Sequence, residues 1–338
     1  MGMIINPHRH GGSLYGNDFV LEMATTGAAE TVTIPCQNVG SFNATIDWGD
    51  ATSDSTITTY NDGDLAHEYA DAGDHIIRIS GTFANIYFNN GGDKAKLKRV
   101  LNWGNTGLVT LKSAFWGCAN LTSVTSESAN TAAVTDMANL FLNCTGLVTC
   151  DVSGFNVAEV LAMNSMFQGC TSITTLDTSG WNPVKVTTFS NTFAECTSLA
   201  TIGDTSGWGT DAALNMQRMF NACGALATFD VSGWNTASVT DMTWMFRNCN
   251  NVTDIAIDNW DIEAVTSFVA FMTFGAGLIT SRYDAVLIAW DAQNPVDSLA
   301  VDFGGSKYST ASPQTAAEIA RASLESGDSW TITDGGPA

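Results

Sequence analysis

The sequence predicts a mixed β and α/β protein: an all-β sandwich, then a solenoid of stacked coils, then a C-terminal α/β cap. Three observations carry this prediction. A Phe-x-x-Cys motif returns at Phe115/Cys118, Phe141/Cys144, Phe167/Cys170, Phe193/Cys196, Phe220/Cys223 and Phe246/Cys249. Ahead of it, short stretches of alternating apolar residues are parted by Gly, Asp and Asn turns. Behind it, apolar residues return at helical spacing from Arg282 to Trp290. These signals divide the chain into an arm (1–17), a sandwich (18–100), a repeat of about seven coils (101–280) and a capping unit (281–338).

The arm, with His8, His10 and the Gly11-Gly12 pair, reads as an extended tether that orders on a partner. The two histidines supply half of a metal site and no further ligand, so no metal is assigned to them.

The sandwich strands are expected at Phe19–Met23, Thr31–Pro35, Ala44–Trp48, Thr56–Tyr60, Ile76–Ser80 and Asn85–Phe88. His67, Glu68, Asp74 and His75 lie in or beside strands with no placed nucleophile, so no catalytic residue is assigned. Asp47 with Asp50, or Asp62 with Asp64, could hold a calcium weakly, but the spacing lacks an EF-hand's oxygen ladder. No other cofactor is expected. The basic run Lys94 to Arg99 is expected to be a solvated junction between sandwich and first coil.

The repeat has a fixed internal grammar. Successive phenylalanines are 26, 26, 26, 27 and 26 residues apart, and an eroded seventh copy keeps Met272, Gly275 and Leu278. The longer step comes from Gly203, one extra residue at a turn. Val134 and Met137, placed before Phe141 and Cys144, give the i, i+3, i+7, i+10 stripe of a short helix, and other copies follow. Phe229/Val231 and Ile255/Ile257 then alternate by two, which predicts a strand. An Asp-x-Ser-Gly-aromatic turn, as at Asp151–Phe155, Asp177–Trp181, Asp204–Trp208 and Asp230–Trp234, closes most coils. One coil cannot bury its own apolar face; stacking lays Phe on Phe and Cys on Cys, giving the structural core. At about 4.8 Å per coil, seven coils span roughly 34 Å.

Trp181, Trp208, Trp234 and Trp260 recur in register twelve residues before the Phe place. Packing against the core is their expected role, with a ligand-facing aromatic ladder as the alternative. The Asp ladder is expected to cap turns through backbone N–H groups. The capping unit should hold a helix over Arg282–Trp290, a strand over Val296–Phe303, a helix from Ser312-Pro313 to about Glu325, and a last strand at Trp330.

Composition limits the partners. A formal charge of −21 and a pI near 4.2 argue against nucleic acid. No apolar run approaches the roughly 20 residues of a membrane helix, so no membrane insertion is expected. Met1 to Asn17 has no apolar leader core, so export by the usual route is not expected unless an upstream segment is removed. The eight cysteines include no Cys-x-x-Cys pair, and reduced buried thiols are the expected state, although stacked coils would permit disulfides.

The motif Val-Thr-Asp-Met-x-x-x-Phe-x-x-Cys-x-x-Leu with Asp-x-Ser-Gly-Trp resembles the BspA-like leucine-rich repeats of bacterial surface proteins. Trp48-Gly-Asp50, His67-Glu-Tyr69 and Ile76 to Ile79 resemble polycystic-kidney-disease-type immunoglobulin-like sandwiches, with a departure at Ala51 where that family usually has glycine. The opening Met3 to Pro7 and the tail Tyr283–Trp290 with Trp330–Gly336 are similar to segments of bacteriophage virion proteins. The resemblance implies an immunoglobulin-like sandwich followed by a leucine-rich-repeat-type solenoid with a C-terminal α/β cap. It also implies a non-enzymatic virion surface protein, a tail fibre, tail tip or capsid decoration, assembled in the host cytoplasm. Ile4, Ile5, Asn6, Pro7, His8 and Arg9 would anchor it. Other virion proteins, or a host receptor or glycan, would be its partners, with homo-oligomers on the particle allowed. The alternative is an extracellular bacterial adhesin of the BspA-like type.

Overall fold

The computed structural model describes residues 14–227 and 229–338. Alternating side chains form β1 (Phe19–Thr25), β2 (Glu30–Thr33), β3 (Phe42–Asp47), β4 (Ser55–Ile57), β5 (Ala66–Tyr69), β6 (Gly73–Phe83) and β7 (Leu97–Asn102). Two-residue strands β8 (Ser123–Val124) and β9 (Thr149–Cys150) follow in the first repeat copies. Seven of these strands make one sheet in the order β4-β3-β6-β1-β7-β8-β9, and β2 pairs with β5 apart from it. β1 is almost wholly buried because it lies between β6 and β7, antiparallel to both.

This sheet overturns the expected fold class. The chain is not an immunoglobulin-like sandwich followed by a leucine-rich-repeat solenoid with an α/β cap; it is mostly sheet, with one large mixed sheet joining the N-terminal strands to the repeat. The shared element is β7. It runs antiparallel to β1 on one edge and parallel to β8 on the other, with Arg99 opposite Ser123 and Val100 opposite Val124. In the basic run expected as a solvated junction, Lys94, Lys96 and Lys98 are half-exposed and Arg99 is exposed, while Leu97 and, just beyond the run, Val100 are buried. The stretch Asn85–Phe88, expected as a strand, instead passes alongside the repeat: Phe88 N–H donates to Ala114 O, and Asn90 N–H to Trp116 O. Phe88 packs on Phe115 with ring centroids 6.4 Å apart.

The apolar stripe of each copy does not become a helix. Ser113, Asn139, Ser165, Asn191, Arg218, Trp244 and Ala270 share one register place, and all have φ between 52° and 58°. Four residues on, Asn143, Glu195, Ala222, Asn248 and Phe274 are left-handed too. A left-handed residue every four breaks any α-helix. Its N–H groups are used otherwise: Met137, Asn139, Phe141 and Asn143 donate to Ala162, Asn164, Met166 and Gln168 of the next copy. Leu140 and Cys144 N–H close turns three residues back, onto Met137 and Phe141. Parallel bridges link Asp136, Ala162, Thr188, Asn215, Asp241 and Ser267 in sequence.

Among the described residues the α-helices are α1 (Thr280–Asp291) and α2 (Ala316–Ser326), 12 and 11 residues long. α2 starts beyond Ser312-Pro313 because Thr315 caps it: its side chain accepts Glu318 N–H while Glu318 reaches back to the Thr315 N–H. β10 (Ala300–Asp302) and β11 (Thr331–Thr333) pair in parallel. Val301 bridges Phe268 of the last copy, and Met272 N–H donates to Asp302 O, so a backbone donor of the last copy is satisfied. One continuous apolar core runs from β1 to β11.

Candidate binding site

The apolar residues that repeat are inside. Phe115, Phe141, Phe167, Phe193, Phe220 and Phe246 are fully buried, with successive centroids 5.4–5.7 Å apart and planes within 23°. In the seventh copy Phe271 rather than Met272 meets Phe246, edge-on at 5.4 Å. Cys118, Cys144, Cys170, Cys196, Cys223 and Cys249 are free, buried thiols. Their sulfur has a use that smallness alone misses. Cys144, Cys170, Cys196, Cys223 and Cys249 each donate S–H to the Phe carbonyl of the preceding copy, at 3.0–3.1 Å. Burial pushes the Cys196 and Cys249 thiols up to about 12, which keeps them protonated as donors.

Trp181, Trp208, Trp234 and Trp260 are 0–3% exposed, so a ligand has no ring face to lie on. Their indole N–H groups donate to Val152, Thr178, Thr205 and Val231 carbonyls, and Trp290 of α1 continues the series onto Ile257 O. The Asp ladder caps turns: Asp151, Asp177, Asp204 and Asp230 accept the N–H of Ser153, Ser179, Ser206 and Ser232.

The residues that occur once are outside, on the left-handed turns. There the stacking register brings Arg218, Trp244, Arg247 and Phe274 together at the C-terminal end of the repeat. The Arg218 guanidinium lies 4.0 Å from the Trp244 ring centroid and that of Arg247 lies 4.7 Å from the same ring. Arg247 also reaches Phe274 at 5.4 Å, and the Phe274 ring is 69% exposed. Among the described residues neither arginine has a carboxylate partner. Asp241 accepts from Thr243 N–H and Gln217, and Asp302 from Thr273 and Gly304 N–H, while exposed Glu195, whose N–H donates to Asn221 O, forms no ion pair with either arginine. Arg218 Nε and Asn221 Oδ1, three residues apart in one turn, are buried without hydrogen-bond partners. Two cations on one ring form a concentrated anion-attracting spot on a chain of charge −21. Sequence reading missed it. The available signal was the intrusion of Arg and Trp into a register place otherwise held by Ser, Asn and Ala.

The other candidates fall apart or are already satisfied. His67 Nε2 lies 2.7 Å from Asp50 Oδ2 and its ring stacks on Trp48, while His75 stacks on Tyr69. Burial opposes ionisation of Asp50, but hydrogen bonds from Thr52 and His67 outweigh it and hold the carboxyl at about 2. Tyr69 O–H donates to the Trp48 carbonyl, so this cluster ties a corner. At Ala51 the backbone is left-handed, with φ 62°, the conformation a glycine adopts freely. Asp47, Asp50 and Asp62, considered for calcium, accept local hydrogen bonds from Gly49, Thr52, and Thr58 with Asp64. Among the described residues no three His, Cys, Asp or Glu side chains gather as metal ligands. A shallow cleft of about 480 Å³ is lined by Phe229, Asp230, Ser232, Asp254 and Arg282, but Arg282 is held by Asp254 and Asp258. Among the described residues no helix is long and apolar enough to cross a membrane. Ile4, Ile5, Asn6, Pro7, His8 and Arg9 lie outside the described residues.

Comparison with known proteins bears on the repeat. The family described as "Mycoplasma protein of unknown function, DUF285" matches residues 83–202, 109–227 and 174–286. Its threefold, overlapping match is compatible with a repeated surface protein. No curated protein and no solved structure matches the chain.

Proposed function

The chain belongs to this family, whose matches from 83 to 286 take in more than half of its 338 residues, and from that premise we propose a surface-displayed, non-enzymatic binding protein. The observation that carries the proposal is the split between repeated apolar residues, which are buried, and the single arginines and aromatics that gather on the outer turns. Catalysis needs a unique constellation of reacting groups. Here the carboxylates that could act in pairs recur copy after copy and are occupied in turns.

The display platform we propose is a bacteriophage virion, where the protein serves as tail fibre, tail tip or capsid decoration. The N-terminal arm fixes it to neighbouring virion proteins, and the repeat faces the host surface. The short terminal likenesses to virion proteins support that location. Mass spectrometry of purified particles, with electron microscopy of a tagged protein, tests it. Deleting residues 1–13 is expected to abolish incorporation while leaving the described fold intact, since Gly16 and Asn17 carbonyls still receive Asn102 and Asn105. Normal incorporation of that deletion defeats the anchoring role. A second reading, a bacterial cell-surface adhesin, is favoured by the family's Mycoplasma description. Recovery from cell envelopes and never from particles would select it.

A further inference from the structure

We propose that Arg218, Trp244, Arg247 and Phe274 bind a carboxylate-bearing sugar, a uronic acid unit set among neutral sugars in a surface polysaccharide; this deepens the surface-binding reading and rests on it. The two guanidiniums share one indole and meet no carboxylate among the described residues. Like charges brought together repel, and a bound anion relieves that repulsion. A guanidinium offers a planar fork of donors, which a planar carboxylate matches with two parallel hydrogen bonds.

The exposed aromatic ring narrows the ligand further. A uronic acid carries a carboxylate and an apolar C–H face on one ring. The side chain of an acidic peptide carries the carboxylate alone. Exposed Phe274, with Val269 at 52% exposure, supplies an apolar face for the C–H side of a pyranose.

The charge of the whole chain sets the density of anions the ligand can carry. At −21 the body repels a polyanion, while the arginines act over roughly a Debye length of about 8 Å at physiological salt. A ligand with isolated carboxylates gains the local attraction and escapes most of the wider repulsion.

The test uses the full-length protein, titrated calorimetrically with a trisaccharide carrying one galacturonate between two galactoses, an all-galactose trisaccharide and poly-glutamate. Galacturonate should bind, weaken with added salt, and be preferred to both others. Arg218→Gln and Arg247→Gln should each weaken it about 10- to 100-fold, the usual scale for a hydrogen bond to a charged group. Lys185→Gln, at an exposed lysine paired with Glu159, should leave it unchanged. The assignment is overturned if the wild type ignores galacturonate, if the arginine variants bind it equally, or if poly-glutamate binds more tightly, which would move the site to acidic peptides. Binding of the same proteins to intact host cells separates the two levels. Cell binding lost in the arginine variants without galacturonate binding removes the sugar and keeps the surface reading; a wild type that binds no cells and sits on no particle removes the surface reading itself.

Discussion

Within one copy of the repeat, the interior column and the outer turn lie only a few residues apart, yet they follow different rules. At the interior place six copies carry phenylalanine, and each ring packs on its own image at 5.4–5.7 Å. At the left-handed place on the outer turn the same copies carry Ser113, Asn139, Ser165, Asn191, Arg218 and Trp244. A side chain stacked above and below by itself must be self-complementary, which leaves few choices. An outer side chain must only tolerate its backbone, because its N–H is already given to the next copy. The interior therefore builds the molecule, and the outer turn is free to carry recognition.

That contrast can be tested by substitutions of decreasing effect. Phe193→Ala removes two stacking partners and leaves a cavity, so it should cost about 3–5 kcal/mol in urea unfolding. A loss below about 1 kcal/mol would mean that the column is not what holds the copies together. Gly233→Ala should cost about 1–3 kcal/mol, since a Cβ there would overlap the Ser206 carbonyl of the preceding copy. Cys196→Ala should cost about 1 kcal/mol, the net worth of one hydrogen bond, because the Phe167 carbonyl keeps the Cys170 N–H when the S–H is lost. If Cys196→Ala melts like wild type, the thiol ladder is passive filling.

Asp151→Ala should cost about 1 kcal/mol at neutral pH, the scale of a lost capping side chain. Burial pushes the Asp151 carboxyl up, but hydrogen bonds from Ser126 and Ser153 outweigh it and hold it below its ordinary 3.8. A carboxyl lowered on folding stabilises above its unfolded pKa, and that contribution fades as pH falls through 3.8 and below. Wild type and Asp151→Ala should therefore converge in melting temperature towards pH 2. Last, the double change Arg218→Gln/Arg247→Gln should shift stability by about 1 kcal/mol or less, since only partly exposed cation–π contacts go. A large loss there would make the outer turn structural and erase the contrast.

Several features of this fold were legible without coordinates. The period, the extra residue Gly203 and the helical segments near the C-terminus all stand in the chain order. In the structure Gly203 has a φ of 80°, in the left-handed region that favours glycine. Three things were not legible. The stripe Val134, Met137, Phe141, Cys144 has helical spacing, and spacing cannot tell a helix from a turn whose N–H groups point to another copy. That the end of the basic run would form a strand paired with both β1 and β8 was hidden, because its two pairing edges belong to strands distant in sequence. The arginine–aromatic cluster draws on three copies, and no local window contains it.

By itself the sequence determined the repeat length and which residue types return at each step, because periodicity is a property of order along the chain. The tertiary structure decided that these segments join the N-terminal strands in one mixed sheet. It also decided that the copies pass through left-handed turns, and that two arginines without a carboxylate partner among the described residues meet over one tryptophan. Each of those outcomes depends on which backbone donor finds which acceptor across the stack, and hydrogen bonds between distant segments leave no mark in the spacing of side chains.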